Sequence, residues 1–171
     1  RGIKKAYCRE AKIDEMLSPT PLSIYEIAAN KVEGNQEAAQ KAYKKFAIAA
    51  GDALANAVTL VDGLIVLGGG IAGAHKQFLQ MLVNEMNRKF DLPSGGKLPR
   101  LEIKVFNLEH KKDLEKFLVG ETREIQVPFS ERGITYDPLK RVGVGITRLG
   151  TSKATSVGAY AFALNEMDKK K

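Results

Sequence analysis

Residues 64–74 read Leu-Ile-Val-Leu-Gly-Gly-Gly-Ile-Ala-Gly-Ala. Four apolar residues, Leu64–Leu67, stand between Gly63 and Gly68, which predicts a central strand, parallel and covered on both faces. Three glycines follow without interruption. Helical spacing then resumes over His75–Phe90 through Phe78, Leu82, Val83 and Met86. The stretch is a strand, a turn without side chains, and a helix. In an open α/β sheet such a turn lies at the carboxyl end of a strand, where ligands collect. Glycine removes the Cβ that blocks close approach and permits positive φ. The helix start adds unpaired N–H groups and the positive end of a dipole.

Upstream of this stretch, Ser18-Pro19-Thr20-Pro21 reads as a loop. Ser23 is the expected cap of a short helix over Ile24–Lys31 that ends near Gly34. Asn35 caps a long helix over Gln36–Val61, whose Tyr43, Phe46, Ala50, Leu54, Ala57 and Val61 recur at spacings of three and four. Its C-terminal half is apolar almost all round, which predicts burial on every side. Asp62-Gly63 breaks the helix from the strand by turn chemistry. Downstream come a loop over Asp91–Pro99, a strand over Leu101–Phe106 and a charged helix over Lys111–Leu118. Strands over Ile125–Pro128 and Arg141–Ile146 follow, then a closing helix over Ser152–Met167 capped by Thr151 or Ser152. This alternation of helix and strand is an α/β layered pattern, with helices on both faces of the sheet.

Composition bounds the function. The chain has 171 residues, 44% of them apolar and 27% charged, which suits an ordinary globular domain with a solvated surface. The most apolar region, around Ala53–Ala74, is interrupted by Asp62 and by glycines, and falls short of a membrane span. No signal peptide is legible. Cys8 is the only cysteine, which excludes an internal disulfide and a multi-cysteine zinc site and fits a reducing, cytoplasmic compartment. The chain opens at Arg1 without an initiator Met, the expectation for a processed product or a piece of a longer protein. The net charge of +7 favours polyanionic partners, but the excess is scattered, and Lys169–Lys171 read as a solvated end. Aromatic residues do not alternate with basic ones as on a base-stacking surface, so composition argues against nucleic acid.

The glycines admit three readings. Gly68-x-Gly70-x-x-Gly73 satisfies a dinucleotide fingerprint, but that fold wants an acidic residue at the end of the next strand, and the region at the right distance is the loop Asp91-Leu92-Pro93. A strand-to-helix turn serving only the backbone is the second reading. Three glycines exceed what a turn needs, however, and each costs about 0.5–1 kcal/mol in chain entropy. The third reading, a turn that lets a ligand approach bare main chain, accounts for that excess.

A resemblance covers nearly the whole chain. Gly51–Ala74, reading GDALANAVTLVDGLIVLGGGIAGA, resembles the adenosine-binding segment of ROK sugar kinases, of the actin–hexokinase superfamily. Leu149–Ala154, continuing through Val157–Ala161, resembles that family's closing helix, and Arg1-Gly2-Ile3-Lys4 the segment after its sugar-contacting region. The resemblance implies a ribonuclease H-like lobe of actin/hexokinase type, residues 1–171 being the C-terminal, nucleotide-side lobe with the N-terminal lobe absent from the chain. It implies a cytoplasmic, glucokinase-like transferase that uses ATP and Mg²⁺ to phosphorylate a hexose. Glucose is the default substrate; N-acetylmannosamine or fructose fits equally. Gly68, Gly69, Gly70 and Ile71 are the implied nucleotide contacts, and a homodimer is the usual assembly. The phosphate loop, the catalytic base and the zinc motif would lie upstream of Arg1, so no catalytic or metal-ligating residue is expected in this chain, and the isolated chain is expected to be inactive. A sugar-responsive ROK regulator and an NAD-binding domain are the alternatives.

Other residues have a sharper and a plainer reading. Asp52 could face nucleotide or magnesium, but local pairing is the better account. Thr151, Ser152 and Lys153 could contact phosphate, but a plain cap is favoured. His75 and His110 read as surface histidines. Glu33-Gly34-Asn35 is a candidate for the adenine rim, or a capping turn. The small-residue run Ala154–Leu164 is expected to pack against the other lobe, and otherwise to expose an apolar stripe or pair with a second copy.

Overall fold

The computed structural model describes residues 2–169. Arg1, which opens the N-terminal resemblance, and Lys170 and Lys171 of the basic tail lie outside the described residues. Among these residues the order is α1 (Gly2–Ala11), α2 (Pro21–Ala28), α3 (Gln36–Val58), β1 (Ile65–Leu67), α4 (Leu79–Met86), β2 (Lys89–Asp91), β3 (Lys97–Pro99), β4 (Lys104–Asn107), α5 (Lys111–Val119), β5 (Arg123–Gln126), β6 (Gly133–Tyr136), β7 (Arg141–Ile146) and α6 (Thr151–Asp168). Short 3-10 helices occupy Glu15–Leu17 and Gly70–Gln77. The chain is mixed α/β with a small parallel sheet.

That sheet has the order β1-β7-β4, with both pairings parallel. Side chains alternate across it as the pleat requires. Val142 and Val144 of β7 and Val105 of β4 join the core cluster, against which Ile65 and Leu67 of β1 also pack. The opposite face carries Phe106, set edge-on to Phe117 of α5 with ring centroids 6.0 Å apart. The expectation that the strand before the glycines is central is corrected here. β1 is parallel, but it is an edge strand, and Val66, on the same face as Phe106 but at the far edge from β4, is 65% exposed. At the other edge Asn87 substitutes for a strand. Its Oδ1 accepts the N–H of Val105 at 3.0 Å and its Nδ2 donates to the Val105 carbonyl at 2.8 Å, satisfying backbone groups that an edge leaves open.

The long helix α3 supports the sheet through α4. Asn35 caps it as expected, its Oδ1 accepting the N–H of Ala38 at 3.0 Å. The buried residues of α3 are Ala38, Ala39, Ala42, Tyr43, Ala47, Gly51, Ala55 and Val58, a single stripe from Ala47 onward, so the burial expected all round its C-terminal half does not occur. Ile48, Leu60 and Val61 are exposed, and the helix ends at Val58, short of Val61. Small residues on the buried stripe let the helices approach closely. A Cβ at Gly51 would lie 2.9 Å from the carbonyl oxygen of Leu82 on α4. Gly51→Val is therefore expected to lose about 1–3 kcal/mol of stability, by the cost of overpacking, read as a lowered urea midpoint with unchanged slope.

Two other boundaries move for local reasons. The short helix α2 begins at Pro21 and is capped by Thr20, whose Oγ1 accepts the N–H of Ser23; Ser23 itself is not the cap. Proline at the first helical position loses no bond there, so the Thr-Pro pair starts the helix. The helix expected over His75–Phe90 is split by Phe78, whose φ of −139° leaves helical geometry, into the 3-10 segment and α4. Phe78 is buried, with Phe46 edge-on at 4.9 Å and Tyr43 parallel at 6.4 Å.

Two hairpins were not legible as such. β2 and β3 pair antiparallel where a loop is expected, and β5 pairs with β6. The strand expected over Ile125–Pro128 ends at Gln126, and Pro128 has no N–H for a ladder. At the root of the second hairpin, Asp137 Oδ1 accepts the N–H groups of Glu121 at 3.2 Å and Leu139 at 3.0 Å. The Arg141 guanidinium, hydrogen-bonded to Asp137, holds that carboxyl below the ordinary range, and the two backbone N–H groups add to the effect. The closing helix α6 has no buried residue, and Val157, Tyr160, Leu164 and Met167 form an exposed stripe at spacings of three and four.

Candidate functional site

The glycine loop leaves the carboxyl end of β1 and enters the 3-10 segment. Leu67 continues the parallel ladder past the strand, its carbonyl accepting the N–H of Thr147 at 2.9 Å. Gly69 then has φ 80° and ψ −175°, a combination that side-chain-bearing residues essentially do not adopt. Its carbonyl accepts the N–H of Ala72 at 3.1 Å, opening the 3-10 helix. The N–H groups of Gly70 and Ile71, in the first turn, have no partner within that helix. A Cβ at Gly69 or Gly70 would meet nothing within 4 Å. At Gly68 it would meet Thr147 Cγ2 and Thr151 Oγ1, both at an ordinary 3.6 Å. Backbone conformation therefore demands glycine at 69 alone, while Gly70 borders open space.

That space is a cavity of about 720 Å³ between the loop, α1, α2 and α3. Gly70 and Ile71 line it, with Gly73 and Ala74 after them. Opposite are Tyr25 of α2 and Tyr43 and Phe46 of α3, and Lys4 brings a cation to the wall. Such a volume, mostly apolar and aromatic with few polar groups, suits a small organic ligand. Burial pushes the Tyr43 phenol up, so it stays protonated as a donor. Of the residues singled out from sequence, Gly70 and Ile71 reach this cavity, whereas Gly68 and Gly69 form its approach without lining it. Tyr43 and Phe46 had read as core-facing positions on a helix. They serve both purposes, because a residue at the edge of the buried stripe contacts the core on one side and the cavity on the other.

The remaining candidates settle elsewhere. Asp52 pairs with the Arg100 guanidinium, so it is an ion-pair partner as the plainer reading has it, but the partner lies 48 residues away and not nearby in the chain. His75 Nδ1 is 3.0 Å from the Ala72 carbonyl, which requires the Nδ1–H tautomer, and the ring borders a second cavity with Lys76, Asn107 and His110. His110 lies 3.6 Å from Asp113. Asn35 is spent on its cap, and a Cβ at Gly34 would press on Ile27 at 2.7 Å, so Glu33-Gly34-Asn35 is a capping turn that does not line the cavity. Thr151 does not cap α6 either: Gly150, at φ 74°, holds the cap position, and Thr151 Oγ1 accepts the N–H of Gly69 at 2.8 Å. Sequence gave no sign of that bond.

Among the described residues, no helix is long and apolar enough to cross a membrane, and no group of three or more His, Cys, Asp or Glu is placed to hold a metal ion. No family model matches the chain, and no curated protein matches it. Among solved structures it is similar to a glucokinase from Parabacteroides distasonis ATCC 8503 determined at 3.00 Å, with 39% sequence identity and a TM-score of 0.85. The match covers 96% of this chain and 44% of that one, so the chain spans less than half the length of the glucokinase it matches. Over that span, the chain has a glucokinase-like fold.

Proposed function

We propose that the chain is the C-terminal, nucleotide-side lobe of an ATP-dependent hexose kinase of the ROK type, with a ribonuclease H-like architecture. The observation that carries this reading is the open glycine loop at the mouth of an aromatic-walled cavity. The 39% identity to a glucokinase over 96% of the chain gives that loop a context. In this reading the adenine enters the cavity beside Tyr25, Tyr43 and Phe46. Gly68, Gly69 and Gly70 let the ribose and phosphates pass along bare backbone, and the N–H groups of Gly70 and Ile71, two residues that line the cavity, are left to donate to them.

The reaction is transfer of the γ-phosphoryl group to a sugar hydroxyl. The hydroxyl oxygen forms a bond to the γ-phosphorus, its proton passes to a base, and the bond to the β–γ bridging oxygen breaks, with ADP leaving. Such catalysis is positioning and charge neutralisation, and Mg²⁺ arrives with the nucleotide's phosphates. This chain's own residues bind and orient the nucleotide. The base and the sugar contacts belong to the remainder of a longer protein, working in the cytoplasm, with glucose as the first substrate to try.

The alternative NAD reading receives no support from Asp91. That residue lies in the β2–β3 hairpin, outside the parallel sheet, 84% exposed and 3.5 Å from Lys97. The test is a pair of titrations and an assay. The 171-residue chain is expected to bind a non-hydrolysable ATP analogue in preference to NAD and to leave glucose unphosphorylated. The longer protein containing it is expected to phosphorylate glucose from ATP. Preference for NAD, or hexose phosphorylation by the chain alone, would overturn this assignment.

A further inference from the structure

The Gly69 N–H lies at the centre of the loop that the proposed function gives to the nucleotide, yet it points away from any ligand. It donates to Thr151 Oγ1 at 2.8 Å, across 82 residues of sequence. Gly68 leans on the same segment, since a Cβ there would touch Thr147 Cγ2 and Thr151 Oγ1. Beside them the N–H of Thr147 donates to the Leu67 carbonyl at 2.9 Å, so the segment 147–151 meets the chain at Leu67, Gly68 and Gly69. The backbone bond holds the end of β1. It leaves the bend that follows, at φ 80°, with no other anchor on that side among the described residues.

We propose that Thr151 is a positioning residue for the glycine loop. Its hydroxyl, by accepting the Gly69 N–H, holds the left-handed bend open so that Gly70 and Ile71 border the cavity. The hydroxyl has the valence for this, one donor and two acceptor lone pairs, and its own proton remains to be donated elsewhere. Two consequences follow from the geometry. The loop offers a ligand the N–H groups of Gly70 and Ile71, with that of Gly69 already engaged. In addition, Thr151 is the first residue of α6, so the loop and the exposed closing helix are coupled by one hydrogen bond. A movement of α6 that withdraws the hydroxyl releases the bend.

This proposal rests on the nucleotide reading only for its ligand, and its two arms separate the two claims. Thr151→Val keeps the shape and removes the acceptor, while Thr151→Ser keeps the oxygen. The first arm is amide hydrogen exchange at Gly69 in the chain without nucleotide. The valine variant is expected to exchange roughly two- to tenfold faster, the range for one net hydrogen bond, and the serine variant to match the parent. The second arm is affinity for the ATP analogue, expected to fall by a similar factor in the valine variant and to be retained in the serine variant, with melting temperatures of all three close together. Unchanged Gly69 exchange in Thr151→Val, or equal losses in valine and serine, would overturn the positioning role. If the parent chain binds no ATP analogue, the nucleotide reading fails, and the exchange arm still decides whether Thr151 holds the bend.

Discussion

Gly69→Val is expected to remove detectable binding of an ATP analogue while leaving the chain folded. The residue sits at φ 80° and ψ −175°, where a β-branched side chain is strained by about 1–3 kcal/mol. No neighbour obstructs the added atoms, since a Cβ would meet nothing within 4 Å, so the penalty is conformational and not a clash. The exposed loop can relieve that strain by leaving the left-handed region, which withdraws Gly70 and Ile71 from the cavity. Gly70→Ala separates backbone conformation from approach. Gly70 has no positive φ, so alanine there should change stability by less than about 0.5 kcal/mol. Its methyl group would nonetheless stand where the nucleotide is proposed to pass, and affinity should fall. Titration calorimetry and thermal unfolding of the two variants provide the check. Retained affinity in both would show that the loop serves only the turn.

The second large effect is expected far from the loop. Arg100→Met should destabilise the chain by about 3 kcal/mol, at the lower end of the range for stripping a buried ion pair of one partner. The Arg100 side chain is only 9% exposed and lies 3.6 Å from Glu85 Oε1, itself on a side chain 11% exposed. It also pairs with the Asp52 carboxylate and donates to the Asp52 carbonyl at 3.2 Å and to Asn56 Oδ1 at 3.3 Å. One guanidinium thus joins α3 to α4 beside Gly51, where a Cβ would lie 2.9 Å from Glu85 Cβ and from the Leu82 carbonyl oxygen. Two features keep the loss from being larger. Arg88, 3.3 Å from Glu85, remains to neutralise it, and Arg100 Nη1 is buried without a hydrogen bond, so its removal also removes an unmet donor. Asp52→Asn should cost much less, because Asp52 is half exposed and keeps its carbonyl contact. Urea denaturation gives both values, and equal losses in the two variants would place the anchor on Asp52 instead of on the buried guanidinium.

These expectations also mark where reading the sequence succeeded. The cap at Asn35, the strand Arg141–Ile146 and the glycine turn after a parallel strand were all legible, and the structure places them where they were expected. The long helix was recognised, but its buried stripe was shifted to the alanines and Gly51, because small residues pack closely while carrying little hydrophobic signal. Of the hairpin β5–β6, sequence reading finds a strand that overlaps β5 but not β6 or their pairing, because all the strand residues are exposed and leave no in-and-out alternation to read. The small residues of α6 lead sequence reading to expect close packing, with an exposed apolar stripe only if the other lobe is absent; among the described residues the helix buries nothing and the stripe is exposed.

By itself, then, the sequence determined those features that depend on residues near one another in the chain. A side-chain oxygen one position before a helix caps it, a run of glycines permits a left-handed bend, and a short apolar run between turns makes a strand. Tertiary structure alone decided which strand lies at the edge, where Asn87 stands in for a missing strand, that Arg100 unites two helices, and that Thr151 takes the Gly69 N–H. Each of these joins groups separated by tens of residues, as with the 82 between Gly69 and Thr151. Local propensity has no bearing on such pairs; they form because the packing of distant elements brings a donor and an acceptor within reach, and each then adds a modest net stabilisation of about 0.5–1.5 kcal/mol.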